Sequence, residues 1–218
     1  MQEVERIIPQ LIIIFLSIAL HEFGHAKSAD AAGDPTPRMM GRVTLNPFAH
    51  LDPLGSVMVL ITVFSGFGIG WGKPVLVDPR RMQNPRWDHF MSVLWGPLTN
   101  IILAVACAVA FRFAIVNGIS PLDEWMFFAV VINLALAFFN LLPLGPLDGH
   151  WLVGAMLPPQ LGVRFIQASR TYGSLILLAL VFGGQIMRQA GQPSPMQIIL
   201  WNPALKIAEL LLGVKLTA

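Results

Sequence analysis

Charge is scarce in this chain: 12% of its 218 residues are Asp, Glu, Lys or Arg, about half the share of an ordinary water-soluble domain. With 55% hydrophobic residues and a mean hydropathy of +0.67, disorder is excluded and a soluble core protein is disfavoured. Cysteine is nearly absent. The single Cys107 excludes an intrachain disulfide and a cysteine-based zinc knuckle, and within the apolar run 101–110 it reads as a small lipid-compatible side chain. The basic excess is slight, 14 Lys and Arg against 12 Asp and Glu for a net charge of +2. These basic residues lie between apolar runs and not in one aromatic-interleaved patch, so nothing supports nucleic-acid binding. Internal repeats and low-complexity segments are also lacking. The start Met1-Gln2-Glu3-Val4-Glu5-Arg6 is net negative and no small-residue cleavage site follows the first apolar run, so a secretory signal is not expected.

What the chain does have is long apolar runs. Residues 7–26 supply about the twenty needed to cross about 30 Å of hydrocarbon as a helix. Further spans are expected over 90–116, 125–142 and 172–187, while the tail 196–214, interrupted by Asn202, Pro203, Lys206 and Glu209, either spans, lies in the interface or packs on the bundle. The run 54–64 is too short to cross and ends in Ser65-Gly66-Phe67-Gly68-Ile69-Gly70, which points to a re-entrant segment. The flanking stretches 41–47 and 71–77 have β-type composition beside Pro or Gly and are expected to form short strands. The expected fold is therefore an all-α polytopic membrane bundle of about four to six transmembrane helices, with a short re-entrant and β-strand region after the first span. It is expected to be one membrane-embedded domain over 1–218, with a core over about 7–157 and accessory helices over 158–218. Six tryptophans, several near span ends, suit an interfacial belt.

Inside the first span stands His21-Glu22-Phe23-Gly24-His25, the H-E-x-x-H pattern. Residues four apart on a helix share a face, so both imidazoles can bind one metal while Glu22 lies beside the open position as a general base. Chance would place this pattern in about three of a thousand chains of this His and Glu content. Three ionisable groups in an apolar span each cost several kcal/mol without a partner, which argues for a functional metal site over two merely packed histidines.

Two histidines leave a tetrahedral zinc one protein ligand short. Most acids lie in loops or at span ends. Asp148 differs: it follows Asn140-Leu141-Leu142-Pro143-Leu144-Gly145-Pro146-Leu147, where prolines and glycines unwind a helix at membrane depth, an arrangement tolerated around a polar cavity. It is either the third ligand or the cap of a helix over 149–156. Gly96-Pro97-Leu98-Thr99-Asn100 puts an amide inside the second span, where Asn100 either bonds another helix or holds a substrate backbone. His50 and His89, placed in loops, and His150 read as ordinary polar residues.

Taken together, HEFGH in the first span, GPLTN in the second and NLLPLGPLDG at the third resemble the site-2 protease family of intramembrane zinc metalloproteases, in its short prokaryotic form without a PDZ or CBS domain. The resemblance runs from about Leu11 to about Leu157. It implies that His21, His25 and Asp148 bind Zn2+, that Glu22 is the general base, and that Asn100 and Asn140 help hold the substrate or transition state.

If His25 and Asp148 reach one metal, the first and third long spans run in the same direction, and the segment 54–70 dips and returns. The loops on the side of Lys27, Arg38, Arg42, Lys73, Arg80, Arg81, Arg86, Arg164 and Arg170 are then cytoplasmic by the positive-inside rule, with the zinc nearer that face of a prokaryotic cell membrane. The expected activity is cleavage of the transmembrane segment of a single-pass protein partner within the lipid bilayer. The alternative is a non-catalytic membrane zinc-binding protein or carrier.

Overall fold

A computed structural model describes residues 2–65, 68 and 70–215, with the side chains of 2–6 left aside. Part of the glycine-rich string read as the end of a re-entrant segment, residues 66, 67 and 69, lies outside the described residues. The helices are α1 (Gln2–Ala31), the single turn α2 (Thr36–Met39), α3 (Pro53–Ser65), α4 (Pro85–Asn117), α5 (Leu122–Asn140), α6 (Gly149–Met156), α7 (Pro159–Gln189) and α8 (Asn202–Leu212). Four of them are long and apolar enough to cross a membrane: Ile7–Ala31, Pro85–Asn117, Leu122–Asn140 and Pro159–Gln189. The chain is a helical, multi-pass membrane protein.

Local chemistry sets the helix ends. Asp52 accepts the N–H of Gly55 at 2.7 Å ahead of Pro53, so α3 starts with a side-chain cap and a proline at its first position. Pro85 opens α4 in the same position, and Gly118, at φ 62°, closes it in the left-handed conformation that costs glycine nothing.

The core lies between α4, α5 and α8, where Ala104, Ala108, Phe111, Val130, Leu134, Ala204, Ala208 and Leu212 are buried. In lipid, helices associate by close packing and not by expulsion of water, and alanines four residues apart on α4 and on α8 allow the backbones to approach. The tail 196–214 thus packs on the bundle, through a π-turn over Gln197–Trp201 and then α8. α4 also lies along α1, while α6 joins α7 to α4.

The expected strands do not form. Among the described residues there is a single isolated antiparallel bridge, Leu51 to Gly72. A strand needs a partner along its ladder, and here the backbone groups are claimed by side chains instead. Arg42 donates to the carbonyls of Ala49 and Lys73, His50 Nε2 bonds the Thr44 carbonyl at 2.9 Å, and Glu22 takes the N–H of Val75. Pro47 and Pro74 have no N–H to offer. His89 is not in a loop but in the second turn of α4, and His50, itself fully buried, ends a 3-10 turn.

Candidate metal centre

His21 and His25 lie on the face of α1 that meets the N-terminal half of α4. Three features of α4 fit that face. Ser92 presents its carbonyl, which accepts from His25 Nδ1 at 2.8 Å. Asn100 accepts from His21 Nδ1 at 2.7 Å. Gly96 leaves room, since a Cβ there would collide with the His25 ring and lie 2.8 Å from His21 Nε2. Gly24 does the same from the α1 side, because a Cβ would lie 2.7 Å from the Trp95 carbonyl. The two glycines let the histidines pass directly under α4.

The Asn100 amide is oriented by its other bonds, from Nδ2 to the Ser17 carbonyl at 3.2 Å and to Asn133 Oδ1 at 2.9 Å. Its oxygen therefore faces His21. In each neutral ring the proton sits on Nδ1, and both Nε2 atoms carry lone pairs. These lone pairs face each other at 3.0 Å and face Asp148 Oδ2 at 3.2 and 3.3 Å. Asp148 occupies the N-cap position of α6 but makes no side-chain cap bond there, and its Oδ2 is buried without a hydrogen-bond partner.

With both rings neutral, three electron-pair donors therefore converge with no proton between them. A tetrahedral zinc with ligand bonds of about 2.0–2.1 Å needs donor atoms about 3.3 Å apart, which the observed spacing fits. The carbonyl-type oxygens that both Nδ1 atoms bond, from Asn100 and Ser92, are also the usual partners of metal-binding histidines.

The loop carrying Asp148 is braced by backbone. Gly145 donates its N–H to Ser169 Oγ of α7 at 2.8 Å, and a Cβ on Gly149 would strike the carbonyls of Leu141 and Leu142. The contacts Ser17 to Asn133 and His21 to Asp148 run in order along α1 and along α5 and the loop that follows it. These two helices are parallel, and α4 is antiparallel to both.

Glu22 is not one of the converging donors; its Oε2 accepts from Val75 N–H at 3.1 Å. Glu22, His21, His25 and Asp148 share a cavity of about 1030 Å³ with residues 74–77 and Asn140. Asn140 donates from Nδ2 to Leu136 within its own helix at 2.9 Å. Asn100 is fully buried, its amide committed to His21, Ser17 and Asn133. His150 is buried in α6 with its Nδ1 on the Leu147 carbonyl; burial pushes its pKa down.

Ser17, Asn133 and Ser92 were not singled out from the sequence. Ser17 precedes His21 by four residues, so its shared face was available as a signal. Asn133 was marked by being an amide in an apolar run. Ser92 contributes a carbonyl, which any residue type supplies.

The family model described as Peptidase family M50 matches residues 117–183. YwhC of Bacillus subtilis, named as a candidate zinc metalloprotease, is 35% identical over 182 residues, 80% of each chain. Rip2 of Mycobacterium tuberculosis (strain H37Rv), named in the same way, is 30% identical over 166 residues, 76% of this chain and 63% of its own length. The zinc metalloprotease MJ0392 of Methanocaldococcus jannaschii is 25% identical over 175 residues, 79% of this chain and 42% of its own length. No solved structure matches. With that identity and coverage, the chain belongs to peptidase family M50, the site-2 protease family.

Proposed function

We propose that this chain is a zinc-dependent intramembrane endopeptidase that cuts a transmembrane segment of a single-pass partner. The observation that carries the reading is the convergence of His21 Nε2, His25 Nε2 and Asp148 Oδ2 within 4.8 Å of one another, with a carboxylate that is not a ligand beside them on the same cavity wall. When bound there, zinc supplies Lewis-acid activation of water and of the scissile carbonyl. The protein's own part is distributed over few residues. His21 and His25 hold the metal in one tautomer, fixed by Asn100 and the Ser92 carbonyl, and Asp148 completes the set. Glu22 takes a proton from the attacking water on its carboxylate and passes it to the leaving amine.

A substrate helix hides its carbonyls in internal hydrogen bonds, so it has to unwind before it is cut. Residues 75–77, which line the cavity outside any helix, offer backbone for strand addition, and Asn140 lies on the same cavity. Asn100 is a positioning residue for His21. The Leu51 to Gly72 bridge brings both ends of the α3 excursion to one place on α1, which supports a segment that dips into the bilayer and returns. By the positive-inside rule, the basic residues clustered on the loops of the α1 C-terminal side support a centre nearer the cytoplasmic face of a cell membrane.

The test is Glu22→Gln in detergent-purified protein with labelled transmembrane peptides. Both proteins are expected to hold about one zinc per chain, with cleavage falling about 10²–10⁴-fold in the variant and stopping in the wild type on chelation. Normal cleavage by Glu22→Gln overturns the mechanism. Zinc in both with no cleavage of any transmembrane substrate by the wild type points to a non-catalytic zinc-binding protein.

A further inference from the structure

Arg42 is the one buried arginine among the described side chains, 3% exposed. Burying a guanidinium carries a desolvation cost that a structural loop does not need to incur, so its contacts are informative. They are backbone carbonyls and not a carboxylate: Ala49 on one side and Lys73 on the other, with Nε buried and unpartnered. Burial pushes the Arg42 pKa down, and the Glu22 carboxylate pulls it back up, which places the two charges within electrostatic reach.

The segment 71–75 that Arg42 grips lies on α1 at the Glu22 turn. A Cβ on Gly72 would sit 2.6 Å from Ile18 Cγ2, 3.2 Å from the His50 carbonyl and 3.3 Å from Glu22 Cγ. Lys73 is tied from both faces, since its N–H donates to the His50 carbonyl at 2.8 Å while its carbonyl accepts from Arg42. Two residues further on, Val75 gives its N–H to Glu22 Oε2 at 3.1 Å. A short unladdered segment thus reaches the carboxylate with its position set upstream.

We propose that Arg42 is a positioning residue for the reaction: by pinning the carbonyls of Ala49 and Lys73 it holds the Val75 N–H on the Glu22 carboxylate, and so fixes the direction in which that carboxylate faces the metal centre. The inference rests on the protease reading above. Arg42 touches neither metal ligand nor substrate and acts through the strap 71–75.

The experiment compares wild type, Arg42→Gln, Arg42→Lys, Val75→Pro and the double variant Arg42→Gln/Val75→Pro, reading zinc content, melting temperature, kcat and KM on one transmembrane peptide. Arg42→Gln is expected to keep one zinc per chain and to lose about ten- to hundredfold in kcat, part of the general-base contribution, with KM within about twofold. Arg42→Lys, which keeps the charge and one carbonyl contact, is expected to fall between. The double variant is expected to be no slower than the slower single one, because both changes break the same path.

Zinc-loaded Arg42→Gln cleaving at the wild-type rate, or losses that multiply in the double variant, overturns the inference. Loss of zinc in both Arg42 variants also overturns it and makes Arg42 a fold residue. A wild type that binds zinc but cleaves nothing removes the protease reading, and this inference with it. A cleaving wild type with a normal Arg42→Gln removes this inference alone.

Discussion

Where α1, α4 and α5 form one wall of the cavity, their polar side chains are buried and paired with one another, from Ser17 through Asn133 and Asn100 to His21. α3 and α7 line the rest of the cavity, and among the described residues no such buried polar chain runs along them. α7 packs chiefly on α6, and 17% of its apolar window is buried against 33% for α5. Leu175, Ile176, Leu178 and Ile186 along it are exposed. A metal site needs donor atoms fixed to a few tenths of an ångström, whereas a membrane substrate needs a wall that yields. On the proposed function the two requirements fall to different helices, and paired amides buried in the first wall are costly to separate in lipid.

That contrast is open to test. Leu134, 2% exposed between α4, α5 and α8, is expected to cost about 2–5 kcal/mol of unfolding free energy as Leu134→Ala, read by reversible denaturation in detergent. A loss under 1 kcal/mol would mean that the metal wall is not rigidly packed. Asn100→Ala frees the His21 ring, and zinc affinity is expected to fall about 10–100-fold, read by competition with a chromophoric chelator. Unchanged affinity would show that α4 alone orients the ligand. The smallest effect is expected on the other wall. Leu178, 48% exposed and lining the cavity, is expected to change stability by no more than about 0.5 kcal/mol as Leu178→Ala, with zinc content unaltered and KM for a transmembrane peptide raised. A large stability loss there would erase the distinction between the walls.

The first wall was also the more legible in the sequence. Apolar runs of spanning length located α1, α4 and α5 to within five residues at every end, because length in lipid is set by the bilayer. The i, i+4 period places His21 and His25 together without any tertiary information, and a Pro and Gly break at depth singles out Asp148. The rest depends on partners that sequence does not display. The stretches 41–47 and 71–77 read as strands because composition reports a preference for extended backbone but not whether a neighbour completes the ladder. Here Arg42, His50 and Glu22 reach that backbone first. The packing of 196–214 on the bundle turns on Ala204 and Ala208 meeting Ala104 and Ala108, a match between faces that neither run shows alone. α4 begins at Pro85 and carries His89, because the helix continues past its apolar stretch.

The division of the three donor residues between α1 and the loop after α5 has a consequence in time. His21 and His25 leave the ribosome more than a hundred residues before Asp148, so during synthesis the first helix carries two histidines and a carboxylate with no third donor. The centre closes only after α4 has crossed back and α5 has been laid parallel to α1. A chain inserted with one crossing missing would put Asp148 on the opposite side of the bilayer from His25. A complete donor set therefore requires that every crossing between α1 and Asp148 be made in its proper sense.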